Sequence, residues 1–198
     1  MKKVCLLILF ATISSFSFAQ VTWNVKGGMN ISNWNGDYLD SNAKVGYKIG
    51  GGMEYAFDKM WSLQTSLFLS SKGVKADGWY DSNNMDVTIN QVYLEVPVMA
   101  ALRMPIDEKI NLVLSAGPYL AYGIGGKMSA ESGGFTGSVD TFSDDALDRF
   151  DAGLGYGVAG EFGKIVVGLD GQFGLVKVAS ESGAPKNINF SLTLGYKF

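Results

Sequence analysis

Histidine is absent from the 198-residue chain. Its absence removes Ser-His-Asp hydrolysis, His-ligated metal sites and ordinary imidazole acid–base work together. Cys5 is the lone cysteine, so no disulfide can close within the chain. Proline is scarce at 4 residues. After residue 19 no apolar run approaches the ~20 residues that a membrane-spanning helix needs. Basic charge is also lacking: 16 Lys and Arg stand against 19 Asp and Glu, a formal net charge of −3, which argues against a nucleic-acid partner because phosphate binding needs a basic surface. What the chain does have is 26 Gly and 13% aromatic residues. With few helix signals, that composition points to many strands.

The N-terminus reads as a secretory leader. Lys2 and Lys3 give a positive start, residues 4–13 an apolar core and Ser17-Phe18-Ala19 a small-x-small cleavage site. The expected division is a signal peptide at 1–19 and one mature domain at 20–198, a size that fits a single domain. Cleavage removes Cys5, Lys2 and Lys3, so the mature chain has no thiol and its formal charge falls from −3 to −5.

Side chains alternate faces along a strand, so parity is the informative test. Val21, Trp23, Val25, Met29 and Ile31 alternate with Thr22, Asn24, Lys26, Asn30 and Ser32. The same pattern puts Val45, Tyr47, Ile49, Met53, Tyr55 and Phe57 opposite Lys44, Lys48 and Glu54, and Trp61, Leu63, Leu67 and Leu69 opposite Ser62, Gln64, Ser66, Ser70 and Lys72, with Phe68 on the wrong face. A fourth segment sets Val92, Leu94, Val96, Val98 and Leu102 against Tyr93, Glu95 and Arg103, and a fifth sets Ile110, Leu112, Leu114, Leu120, Tyr122 and Ile124 against Asn111, Ser115 and glycines. Three more follow: Phe150 to Phe162 facing away from Asp151 and Glu161, Ile165 to Leu175 facing away from Asp170 and Gln172, and Ile188 to Phe198 alternating with Asn187, Asn189, Ser191, Thr193 and Lys197.

These segments exceed the usual 5–6 residues of a globular strand and suit the ~9–11 tilted residues that cross a hydrocarbon core. Connections at 58–59, 104–108 and 163–164 are short, whereas 33–43, 73–86, 127–149 and 179–186 are long. That asymmetry is the pattern of outer-membrane barrels, short turns lying on the periplasmic side. A soluble barrel with the apolar face inward would have an interior too full to close. With the short turns at one end, Trp23, Tyr55, Phe57, Trp61, Phe162, Tyr196 and Phe198 gather there as an aromatic girdle. The expected fold is all-β, an eight-stranded antiparallel up-and-down transmembrane β-barrel integral to the outer membrane.

Tyr93-Leu94-Glu95-Val96-Pro97-Val98, Ala116-Gly117-Pro118-Tyr119-Leu120 and Phe150-Asp151-Ala152-Gly153-Leu154-Gly155 resemble motifs of the PorT-like outer-membrane β-barrel family of Bacteroidota. The likeness extends over essentially the whole mature chain, although Leu102-Arg103-Met104 lacks the aromatic that usually ends the fourth strand. The resemblance implies fold and location. It also implies a functionally mixed family, a few members of which are tied to protein secretion.

Inward charges in a narrow barrel must be paired, because isolated burial is costly. Lys26, Lys48, Glu54, Glu95, Arg103, Glu161, Asp170 and Lys197 are therefore expected to form a neutralising lumen network, with Glu95 and Asp170 the best pair should any carboxylate chemistry exist. No catalytic residue, metal ligand or cofactor is assigned. Pro97 lacks a ladder donor and predicts a bulge or a locally unpaired register beside Glu95. Inward glycines at 117, 123, 125, 153, 155 and 157 read as space for Tyr93 and Tyr119. Acidic loop residues, among them Asp37, Asp40, Asp144 and Asp145, lack the regular spacing of a calcium loop. Trp34, Tyr38, Trp79 and Tyr80 fall in outer loops, where such groups touch a protein, a glycan or the lipid surface, or close the barrel top. Phe198 ends an outward alternating strand and resembles the signal read by the outer-membrane assembly machinery. The functional expectation is a non-enzymatic structural or accessory barrel that recognises partners through its long loops. The alternatives are a narrow small-molecule channel and a lumenal carboxylate enzyme.

Overall fold

The computed structural model describes residues 20–35, 41–80, 83–132, 135–143, 147–179 and 183–198; the expected leader at 1–19 and Tyr38 lie outside them. Its strands are β1 (Val21–Asn35), β2 (Ser41–Ala56), β3 (Trp61–Tyr80), β4 (Asn83–Asp107), β5 (Ile110–Gly125), β6 (Lys127–Ser132), β7 (Phe135–Asp140), β8 (Phe150–Phe162), β9 (Ile165–Lys177) and β10 (Lys186–Lys197). Eight of them form a closed hydrogen-bonded ring in the order β3-β2-β1-β10-β9-β8-β5-β4, with β3 pairing β4 to complete it. The closing seam runs in unbroken antiparallel register from Asn24↔Lys197 to Asn35↔Lys186. No ring strand is left with an edge, which is what a hydrocarbon environment demands of backbone polar groups.

The ring is inside out relative to a soluble fold. Along β10, Asn187, Asn189, Ser191 and Thr193 are buried, while Phe190, Leu192, Leu194 and Tyr196 are exposed. Leu194 at 62% exposure against Ser191 at 4% fixes the apolar face as the outer one. The alternation that distinguishes the two faces in the sequence thus becomes a lipid-facing surface around a polar lumen. Phe68, apolar on the polar side of its strand, is buried within the lumen, as are Val113 and Val166.

Four connections differ from their sequence-based outlines, and in the first, 33–43, β1 runs on to Asn35 and β2 already begins at Ser41. Residues 73–86 are not a loop: β3 and β4 continue past the ring and pair from Gly73↔Asn90 to Tyr80↔Asn83. Residues 127–149 contain the β6–β7 hairpin, which pairs back onto β4 from Met85↔Ser132 to Ile89↔Met128. The β4–β5 turn shrinks to residues 108–109 because β4 runs to Asp107. Pro97 gives the locally unpaired register and no bulge: Thr65↔Val98 and Phe68↔Glu95 share one register across an unpaired gap, Thr65 Oγ1 donating to the Pro97 carbonyl at 3.0 Å, and the register shifts against β5 fall between Val92 and Tyr93 and between Pro105 and Asp107.

The short turns are locally fastened. Asp58 accepts hydrogen bonds from the Met60 and Trp61 amides at 2.7 Å each, and donors of that kind stabilise the carboxylate, the Trp61 and Met60 amides holding Asp58 below its ordinary range. Gly163 takes a φ of 63°, a left-handed conformation that suits glycine, and its amide donates to the Lys109 carbonyl at 2.9 Å.

Candidate functional site

Alternation along the ring strands aims polar side chains into the lumen, where they form two charge layers. Near the short turns, Arg103 on β4 donates to Glu54 on β2 at 2.5 Å and to Glu161 on β8 at 2.9 Å. Lys197 on β10 bridges the same two carboxylates, 2.7 Å from Glu54 and bonded also to Glu161. Two acids and two bases from four strands thus close into a ring of ion pairs.

The second layer lies mid-barrel. Glu95 is wholly buried and meets Lys48 at 3.0 Å and Lys72 at 2.8 Å, while Gln172 donates to it at 2.7 Å. Lys72 also lies 3.8 Å from Asp151. Asp151 in turn accepts from Asn187 at 3.1 Å and from the Tyr119 hydroxyl at 3.3 Å. The lysines rest over aromatic faces, Lys48 at 4.5 Å from the Phe68 centroid and Lys72 at 4.6 Å from that of Tyr119, contacts that favour a desolvated cation.

Six of the eight expected network residues are therefore ion-paired. Lys26 and Asp170 are not among those pairs; they line a small cavity together, and Asp170 accepts from Thr193 Oγ1 at 3.2 Å. Glu95 and Asp170 do not form the carboxylate pair that the sequence suggested, since Glu95 is held by two ammonium groups and Gln172. Sequence reasoning missed Lys72 and Asp151 as network members. Their inward parity was the available signal.

Above the charges the lumen turns apolar. Val74, Ile89, Tyr93, Tyr119, Ala121, Phe142, Leu147 and Val178 form one buried cluster, with Phe142 and Leu147 supplied by the chain between β7 and β8. Phe142 stands edge-on to Tyr93 at 5.8 Å. A Cβ at Gly123 would overlap the Phe142 ring, so this glycine makes room for a residue from the mouth rather than for Tyr93. Arg149 fastens the segment by donating to the carbonyls of Gly123 and Phe142 at 3.1 Å each. Trp34 belongs to β1, is half-buried against the same cluster and donates to Gln91 at 3.4 Å; its ring closes the mouth and is not an exposed recognition group. Trp79 and Tyr80 lie in β3 and not in a loop.

The space left for water centres in the lower lumen is about 60 Å³, room for a few waters at roughly 10–15 Å³ each. Among the described residues no three acidic side chains gather as a metal-ligand set. On the outer face, Trp23, Phe57, Trp61, Phe162, Tyr196 and Phe198 are exposed, with Tyr55 half-buried among them. The register places them beside the short turns: the Phe198 amide reaches the Trp23 carbonyl at 3.0 Å and the Phe57 amide the Trp61 carbonyl at 2.9 Å.

The sequence profile of the family described as outer membrane protein beta-barrel domain matches residues 16–180. The chain belongs to this family. It is an integral outer-membrane β-barrel protein. Comparison with curated proteins finds no match. Among solved structures it is similar to Ail, the attachment invasion locus protein of Yersinia pestis, at 17% identity over 90% of this chain and 99% of that one, with a TM-score of 0.48. Neisserial surface protein A is similar at 11% identity over 89% and 97% of the two chains, with a TM-score of 0.47.

Proposed function

We propose that this barrel is a structural or accessory protein of the outer membrane that recognises polypeptide partners through the sheet rising above its ring. One observation carries the reading. Beyond the ring the order β3-β4-β6-β7 continues as an open sheet, and β7 pairs only with β6 among the described residues. Residues 137–140 of β7 are exposed along its length. Such an edge presents a row of unpaired backbone groups to any extended chain, and strand addition is a common mode of peptide recognition.

The short turns belong on the periplasmic side, as in other outer-membrane barrels, with the seven aromatics beside them acting as the girdle at that interface. The open sheet then faces the exterior. The lumen carboxylates are occupied by lysines and arginine, which supports a structural and not a catalytic role for them. The apolar plug and the small cavity argue against a solute path. The resemblance of the strand motifs to the PorT-like family supports a link to protein secretion, which would make the partner a component or client of that apparatus.

A photo-crosslinking amino acid at Gly137, exposed on β7 with open space around a Cβ, should give a discrete polypeptide adduct in intact cells, and the same group at lipid-facing Leu175 should not. Because backbone pairing is the basis, Ser138→Ala should preserve the adduct. Proline at Ser138 or Val139 should abolish it at whichever position presents its amide outward. Adducts that survive both proline variants would refute recognition by strand addition.

A further inference from the structure

Outward positions on β1 and β2 carry large apolar groups, Val25, Met29 and Ile31 on one and Val45, Tyr47, Ile49 and Met53 on the other. Gly27 and Gly51 interrupt both rows. Neither glycine is required by the protein itself. A Cβ at Gly27 would find nothing nearer than the Lys48 carbonyl at 3.9 Å, and one at Gly51 nothing nearer than the Asn24 carbonyl at 3.5 Å. Neither has the positive φ that would favour glycine. The neighbouring inward Gly28 differs, because a Cβ there would overlap the Leu192 carbonyl. The space over Gly27 is an outer groove walled by Val25, Ile49, Leu194, Tyr196 and Ile165. Gly51, facing Val25 across the ladder, adds no side chain beside it.

At the short-turn end of the groove the Lys164 ammonium lies 5.8 Å from the Tyr196 ring centroid. Among the described residues no carboxylate pairs with it. A cation at the level of interfacial aromatics, at the end of an apolar groove, matches the order of parts in a phospholipid: phosphate, then acyl chain. We propose that this face is a phospholipid site in which one acyl chain lies over Gly27 and the phosphate meets Lys164. The periplasmic leaflet is its setting, which rests on the orientation given above. A lipid tail gains no transfer energy on leaving other lipid, so selectivity here comes from van der Waals fit and from the charged contact.

Native mass spectrometry of the purified, detergent-held barrel tests the site without reference to orientation. The probes are palmitoyl-oleoyl phosphatidylglycerol and the uncharged palmitoyl-oleoyl glycerol. The wild-type barrel should retain one phospholipid. Gly27→Leu fills the groove and should lower retention about tenfold, as loss of a fitted chain does. Lys164→Gln should weaken the phospholipid about threefold, the size of an exposed ion pair, and leave the uncharged lipid unchanged. Heat-modifiable migration reports folding, and if Gly27→Leu does not fold, Gly51→Leu and Lys164→Gln carry the test. Equal retention in wild type and folded variants would mean unselective annular lipid and overturn the proposal. So would a wild-type dimer that becomes monomeric in Gly27→Leu, because a second copy would then be the occupant.

Discussion

Glu95→Ala puts the largest single demand on the lumen. The side chain is wholly buried and holds both Lys48 and Lys72, at 3.0 and 2.8 Å, so its removal leaves two buried ammonium groups with Asp151, 3.8 Å from Lys72, as the nearest remaining counter-charge. Breaking a buried pair costs about 3–5 kcal/mol. Two stranded cations push toward the upper end, and the rings of Phe68 and Tyr119 return roughly 0.5–2 kcal/mol. The net expectation is a loss of about 4 kcal/mol. With a urea slope of roughly 2 kcal/mol per molar, the unfolding midpoint in detergent micelles should fall by about 2 M. Glu95→Gln should lose nearly as much, since it keeps the shape and removes the charge. Glu95→Leu combined with Lys48→Met, Lys72→Met and Asp151→Asn, which removes the counter-charge of Lys72 as well, should return to within ~1 kcal/mol of wild type, because replacement of a whole buried ion cluster by uncharged groups is close to neutral. A loss below ~1 kcal/mol for Glu95→Ala, or a quadruple variant no better than the single, would refute the argument that these charges exist to satisfy one another.

Other outcomes follow from the same geometry. In a chain whose one cysteine is replaced, a new cysteine at Ser138 should react with an impermeant thiol reagent on intact cells and one at Lys59 should not; the reverse would invert the orientation. Phe142→Ala should cost roughly 3–5 kcal/mol as a buried aromatic truncation, yet leave liposome swelling at the wild-type rate because the ion-paired layers still close the lumen. Asp58 has a lowered native pKa, so the stabilisation from its turn is present above its ordinary value of 3.8 and is lost as pH falls through the lower native value; an NMR titration giving Asp58 an ordinary value would remove the cap. On β10, Leu192→Arg places a charge on the lipid face and should cost roughly 2–4 kcal/mol near mid-bilayer, reducing heat-modifiable protein, whereas Leu192→Ile should leave its level unchanged.

Parity made the ring legible, and it failed only where the polarity of the faces changes. As far as Val74 the even-numbered residues of β3 keep pointing inward: Phe68, Ser70 and Lys72, then Val74. Up to Lys72 the inward side is mostly polar and the alternation reads as a membrane strand. At Val74 the same inward side meets the apolar plug, while outward Lys75 faces water, so the pattern inverts without the strand ending. A reading that equates apolar with outward stops there, which is why 73–86 looked like a loop. Trp34 was misplaced for the same reason, an inward aromatic at the mouth being indistinguishable in sequence from an exposed loop aromatic. The pairing of the charges was legible as a necessity but not as a list of partners. Lys72 meeting Glu95 and Asp151 depends on strand stagger around a closed ring, which no single strand encodes.

The way the lumen charges divide bears on what such a barrel can do. Glu54 and Glu161 balance Arg103 and Lys197 in the lower layer, and Glu95 and Asp151 balance Lys48 and Lys72 above it. Lys26 and Asp170 add one further charge of each sign beside the cavity. Each of these two layers is therefore neutral by itself, and among the described residues neither presents the one-signed ring of charge that selects an ion. Two neutral layers under an apolar plug make a rigid, dry-topped cylinder whose interior satisfies only itself. Stability can then be carried by the ring and its plug, leaving the β7 edge to pair with another chain at little cost to the fold. β7, which pairs only with β6 among the described residues, is then the edge that the proposed partner strand would meet.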